Sequence, residues 1–228
     1  NIGKAARDAG IKTFVHLSTA LVYGFDYKEG VTENEPLVKE KNPYCQTKIE
    51  AENALVQLNS SQDFGIIIIR AGDVYGPGSI PWTVRPISFM QQKLFAYTNE
   101  GKVINHVYVD NLIDAIFLAI EKEQHGEIFN ITDGKETSPQ EYFTRLAETA
   151  GYGAPSSLGK EEIRIFLKLR SQGQKLLRKE PDIYPEAVDF MSRPYAFSID
   201  KARRILNYKP AISLDEGMSR IKESLNNQ

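Results

Sequence analysis

FGIIIIR, Phe64–Arg70, is the stretch whose reading decides the fold. Four isoleucines in succession leave no polar face, the pattern of a strand covered by helices on both sides of a parallel sheet. Before it, IEAENALVQL (49–58) has helical spacing. Earlier still, GKAARDAG (3–10) closes a helix at Gly10, and IKTFVHL (11–17) carries the β-branched and aromatic residues of another strand. Downstream, VDNLIDAIFLAIEK (109–122) is an amphipathic helix leading into the strand GEIFNI (126–131). Strands alternating with helices imply right-handed βαβ crossovers, an α/β class and a parallel sheet.

After Thr132 the alternation stops. Helical segments follow: SPQEYFTRLAETAG (138–151), KEEIRIFLKLRSQGQKLLRK (160–179), SIDKARRILN (198–207) and SLDEGMSRIKESL (213–225), with Ser138, Ser198 and Ser213 as N-caps of the first, third and fourth. This tail reads as a second, mainly helical lobe. Between Lys160 and Glu180, seven basic and three acidic residues interleave with apolar ones. The pattern suits a membrane surface or a cover over an apolar substrate. A solvated lid helix is the plainer expectation, and membrane contact is not expected.

At 228 residues and 41% hydrophobic content the chain can bury a sizeable core. A formal net charge of -2 gives no field that would gather nucleic acid. Cys45 is the single cysteine, and His16, His106 and His125 have no ligand spacing, so neither a disulfide nor a metal site is expected and a reducing cytoplasm is the expected setting. No apolar run has the length of a membrane span.

The chemistry is concentrated in NPYCQTK (42–48). Tyr44 and Lys48 are one helical turn apart, so an ammonium can sit beneath a phenol and favour its ionised form. Alone, such a pair is most simply a surface contact. Its company changes the balance. HLSTALVYG (16–24) ends a strand with the hydroxyls Ser18 and Thr19, where a parallel sheet faces its ligand crevice, and IRAGDVYGPG (69–78) ends the next with a glycine-rich turn. Arg70 is expected to pair with a buried carboxylate, Tyr23 to pack, Asp110 and Asn111 to cap their helix, and Pro77 and Gly78 to shape a turn.

Taken in order, VHLSTALVYG, PYCQTK, RAGDVYGPG, VYVDNLIDA and FNITDG, with the closing SIDKARRILNYKPAISLDEGM, resemble the extended short-chain dehydrogenase/reductase superfamily, its NAD-dependent epimerase/dehydratase family, across essentially the whole chain. The resemblance implies the C-terminal part of a Rossmann-type doubly wound parallel sheet (1–77 and 106–133) and a substrate-binding lobe (78–105 and 134–228). It implies NAD or NADP as cofactor, a small-molecule substrate and an option of homodimerisation through two large helices. Tyr44 would be the acid/base, and Lys48 would lower its pKa and hold the nicotinamide ribose. Thr19, 25 residues before Tyr44, would hydrogen-bond the reacting oxygen, with Ser18 as fallback. Ala71, Gly72, Asp73 and Val74 would lie against cofactor, and Ala20, Tyr75, Trp82 and Phe89 against substrate, with core packing an equal reading for Trp82 and Phe89.

Departures from the family pattern narrow the substrate. Ala20 and Leu21 stand where 4,6-dehydratases of the superfamily carry Asp-Glu. Asp73 and Ile104 stand where nucleotide-sugar enzymes commonly carry Asn and a diphosphate-clamping Arg. INHVYVDNL (104–112) is closer to the 3-beta-hydroxysteroid-dehydrogenase-like branch. The expectation is therefore a dehydrogenase or reductase for a secondary alcohol or ketone, with an epimerase second. The glycine-rich dinucleotide turn, Gly-x-x-Gly-x-x-Gly, has no match: GYGAP follows a helix and GPGSIP runs into Pro81. A reading of another class is thus a binding or assembly module that has lost its cofactor half. Weak cofactor binding by these residues alone is expected.

Overall fold

The computed structural model describes residues 1–38, 42–60 and 63–227. In chain order its elements are α1 (Ile2–Asp8), β1 (Thr13–Thr19), α2 (Pro43–Val56), β2 (Gly65–Ala71), β3 (Asp73–Tyr75), α3 (Arg85–Gln91), β4 (Ala96–Thr98), β5 (His106–Tyr108), α4 (Val109–Glu121), β6 (Ile128–Ile131), α5 (Pro139–Thr149), β7 (Ser156–Leu158), α6 (Lys160–Leu176) and α7 (Leu214–Asn226). The chain divides into two compact units: 1–74, 105–135 and 197–213 in the first, and 75–104, 136–196 and 214–228 in the second. Residues 197–213, which the sequence reading placed with the helical lobe, thus pack with the first unit.

In the first unit β2 lies between β1 and β6, parallel to both. The isoleucine run is the centre of this sheet, and its period-two geometry serves two cores at once. Ile66 and Ile68 point to one face and pack with Leu55 of α2, Leu58 just beyond it and Ala6 of α1. Ile67 and Ile69 point to the other and pack with Leu112, Ala115 and Ala119 of α4, joined by Ile199, Leu206 and Tyr208. The α/β class is as the sequence implied, and the two helical layers explain why β2 tolerates no polar residue before Arg70.

Local chemistry sets the element ends. Asn42 caps α2 through its side chain, which accepts from the Tyr44 amide, and Pro43 occupies the first helical position. The helix therefore begins six residues before the apolar run that announced it. Asn111 does not cap α4. Its amide donates to Asp133 and to the Ile212 carbonyl, and its oxygen accepts from the amides of Ala211 and Ile212. Those bonds tie the segment after residue 197 to the first unit.

In the second unit the short strands β4 and β7 pair in parallel. An aromatic cluster forms around α5: Tyr142 meets Trp82 and Tyr75 edge-on, and Phe143 stacks on Trp82 and tilts against Phe95. Ser138 caps α5 as expected.

Gly72 lies close against another segment of its own chain. A Cβ there would lie 2.1 Å from the Asn105 carbonyl oxygen. Gly72→Ala should therefore cost about 1–3 kcal/mol through overpacking, seen as a lower urea midpoint at unchanged m-value.

Candidate active site

Helix α2 places Tyr44, Lys48 and Glu52 at successive four-residue steps on one face. That face lies along the C-terminal half of β1 and makes three polar contacts with it. The Tyr44 phenol is hydrogen-bonded to the Thr19 side chain. The Lys48 ammonium donates to the Leu17 carbonyl at 2.9 Å. The Ser18 hydroxyl donates to Glu52 Oε1 at 2.5 Å. Three consecutive strand residues are thus held by three consecutive turns of one helix.

Behind this contact is a row of polar side chains across the sheet. Ser18, Arg70 and Asn130 are register partners on β1, β2 and β6. Arg70 donates in bidentate fashion to Glu52, with Nη2 to Oε2 at 2.7 Å, and its Nη1 reaches the Tyr23 hydroxyl at 2.7 Å. The Tyr23 hydroxyl donates to Asn130 Oδ1, and the Asn130 backbone amide donates to the Glu33 carboxylate. Arg70 and Glu52 are 3% and 2% exposed, so the pair is removed from water and can hold only because each member is satisfied. Burial pushes the Tyr23 phenol up to about 12, against the pull of Arg70. Arg70 has the buried carboxylate expected of it, and Tyr23 is a fully packed structural hydroxyl.

The remaining candidates fall as follows. Tyr44 is 49% exposed at the sheet's C-terminal end, whereas Thr19 is buried, with its oxygen also accepting from the Leu21 amide. The Lys48 Nζ is 5.8 Å from the Tyr44 ring centroid. Burial is the largest influence on the Tyr44 phenol and pushes it up, while the Thr19 hydrogen bond pulls it down and Cys45 pushes it up. The direction is opposite to the lowering by Lys48 expected from sequence: burial outweighs the Thr19 hydrogen bond, and the Lys48 Nζ donates to the Leu17 carbonyl. Burial likewise lowers His16, as does the Lys48 charge, against the opposing pull of Glu52.

Ala20, Ala71 and Asp73 are buried, Gly72 and Val74 partly so, and the Asp73 amide donates to the Asn105 carbonyl. In the second unit Tyr75, Trp82 and Phe89 are all buried. Trp82 lies in the aromatic cluster and Phe89 under the Arg170 guanidinium. Arg193, not singled out from sequence, is 1% exposed with its guanidinium over Trp82. Glu52 was also missed. Its spacing of eight from Tyr44 was the available signal, readable only once α2 is known to start at Pro43.

Residues 1–132 match the model of the NAD dependent epimerase/dehydratase family, and the chain belongs to that family. Among curated relatives it is similar to a 4-hydroxy-2-methyl-3-oxo-4-farnesyl-3,4-dihydroquinoline-1-oxide ketoreductase of Stigmatella aurantiaca, 27% identical over 96% of this chain and 67% of the relative. It is also similar to 3beta-hydroxysteroid dehydrogenase/Delta(5)-Delta(4) isomerase 1 of Caenorhabditis elegans, 27% identical over 91% of this chain and 47% of that protein. Among solved structures, UDP-glucuronic acid 4-epimerase from Bacillus cereus, in complex with UDP-glucuronic acid and NAD, superimposes with a TM-score of 0.70 at 24% identity, covering 99% of this chain and 65% of the epimerase. That likeness establishes the Rossmann-type fold. The chain therefore spans between about half and two thirds of these three proteins.

Two outcomes test this geometry. Removing one member of the buried pair, as in Arg70→Met, should destabilise the protein by about 3–5 kcal/mol, and Arg70→Met combined with Glu52→Leu should recover most of that in urea unfolding. Thr19→Val should raise the Tyr44 titration further, read from the ring carbon shift of labelled tyrosine, because the lost hydrogen bond was the influence pulling it down.

Proposed function

We propose that the protein is an NAD(P)-dependent oxidoreductase that moves hydride between nicotinamide and a secondary alcohol or ketone, with Tyr44 as acid/base. The observation that carries the reading is the hydrogen-bonded Tyr44–Thr19 pair, with Lys48 on the same helix face, at the C-terminal end of a parallel sheet. Ser18 donates to Glu52, which favours Thr19 as the hydroxyl that meets the reacting oxygen.

The donor set fits a nicotinamide ribose: a half-exposed phenol and a cation with three donors, of which one is used on Leu17. Ala71 to Val74 would complete the cofactor side in the first unit, and Tyr75, Trp82 and Phe89 would contribute to a substrate-binding role for the second. The bound dinucleotide supplies the hydride donor or acceptor. Tyr44 Oη gives its proton to the substrate oxygen in reduction and takes it back in oxidation, while Thr19 Oγ1 hydrogen-bonds the same oxygen. A phenol is protonated at neutral pH and burial pushes its titration further up, which suits the acid role in reduction. Oxidation, which needs the phenolate, should accelerate as pH rises toward the raised pKa, and reduction should slow over the same interval.

The ketoreductase and hydroxysteroid dehydrogenase relatives support a carbonyl or secondary alcohol substrate. Asp73, buried beside Gly72, disfavours a diphosphate at that point. An epimerase is the second reading, supported by the family description and by the UDP-glucuronic acid neighbour. A cytoplasmic setting and a homodimer belong to the same proposal.

Turnover with a panel of cyclic ketones and alcohols, and with UDP-sugars, separates the two. A reductase consumes NAD(P)H in step with product, whereas an epimerase converts substrate with no net change at 340 nm. Tyr44→Phe should lower turnover about 10²–10⁴-fold at an unchanged urea midpoint; full activity in that variant would overturn the assignment.

A further inference from the structure

Helix α6 has two apolar faces, and only one of them is buried. Ile163 and Leu167 pack inward with Val188, Ile183 and Ala187. A helix with one face so covered is expected to be polar on the other. Instead Ile165, Leu169 and Leu176 recur at steps of four and seven, which puts them on one outward stripe. They are 58%, 64% and 86% exposed, and Leu177 just beyond the helix is 70% exposed. Apolar side chains so exposed, with Gln172 and Gly173 the turn between Leu169 and Leu176, call for an occupant.

The charges around the stripe identify it. Lys168 and Lys175 lie one step to the side of Leu169 and Leu176 on the helix, and Arg178 and Lys179 follow the last turn. Among the described residues none of these four makes an ion pair, whereas Lys160, Arg164 and Arg170 of the same helix are paired with Asp189, Glu161 and Asp182. Free cations, three of them lysines, bordering aliphatic side chains are what an anionic lipid surface binds. The aliphatic groups enter the headgroup boundary and the lysine stems lie along it with their ammonium groups at the phosphates. Protein interfaces tend to exclude lysine from their centres, which makes a protein partner the poorer match.

We propose that the outer face of α6 is a peripheral membrane contact, lying in the plane of an anionic bilayer through Ile165, Leu169 and Leu176 with Lys168 and Lys175 at the headgroups. No helix among the described residues is long and apolar enough to cross a membrane, so the contact is interfacial. It reverses the expectation from sequence that this helix is simply solvated, because sequence alone did not show which apolar face is spent on the core.

The test is flotation of the purified protein with vesicles of phosphatidylcholine alone and of phosphatidylcholine with about 30% phosphatidylserine. Binding to the anionic vesicles only, weakened by salt, is expected. Lys168→Gln with Lys175→Gln should weaken it about 30-fold, two charges at the surface. Leu169→Gln with Leu176→Gln should also release the protein while leaving its urea midpoint unchanged, since neither leucine is in the core. Absence of binding to either vesicle overturns the proposal. So does binding that the leucine changes leave intact. Concentration-dependent dimerisation, lost in the leucine variant and without lipid binding, would assign the stripe to a second copy of the chain instead.

Discussion

The Glu52–Arg70 pair is the constraint on which the rest of the first unit depends. A carboxylate and a guanidinium out of water are tolerable only with their hydrogen-bonding capacity met, so the pair dictates where its neighbours go. Glu52 takes the Ser18 hydroxyl, Arg70 takes Tyr23, and Tyr23 takes Asn130. The result is a polar seam across three strands, crossing the isoleucine-filled β2 at Arg70. Such a seam specifies register, because sliding α2 by one turn along β1 would leave a buried charge unpaired.

That register has a consequence two turns away. Glu52 and Tyr44 are on one face of α2, so fixing Glu52 against Ser18 also fixes Tyr44 against Thr19. Lys48 lies between them, bound to the Leu17 carbonyl. The half-exposed phenol therefore stands on a rigid base, which is what a proton-transfer group held to sub-ångström tolerance requires. The energetics belong to packing and to the buried pair, and the proposed chemistry is carried by the one end of the seam that reaches solvent.

Much of this was legible in the residues. The isoleucine run could only be a strand covered on both faces, and the order of strands and helices around it left few topologies. Tyr44, Lys48 and Thr19 were readable as a group. Less legible were features that depend on long-range partners. Arg70 announced a buried carboxylate but not which one, since Glu52 lies 18 residues away on a helix whose start depends on the Asn42 cap and Pro43. Asn111 looked like a cap because it sits in the first turn, yet its partners are Asp133, 22 residues on, and Ala211 and Ile212, some hundred residues on. The direction of the Tyr44 shift also escaped, because spacing brings Lys48 near the ring but does not reveal how strongly burial acts on the phenol. In α6, the interleaving of basic and apolar residues did not show which apolar side chains the core would take.

The most direct test of the account is the titration of Tyr44, followed by ring-labelled tyrosine NMR in the wild type and in Glu52→Gln, with folding of both verified by urea unfolding. If the buried seam holds Tyr44 against Thr19, loosening it at Glu52 should weaken the hydrogen bond that pulls the phenol down and move the titration further up, in the same direction as Thr19→Val. A folded Glu52→Gln protein in which Tyr44 titrates as before would contradict the claim that the seam positions the site.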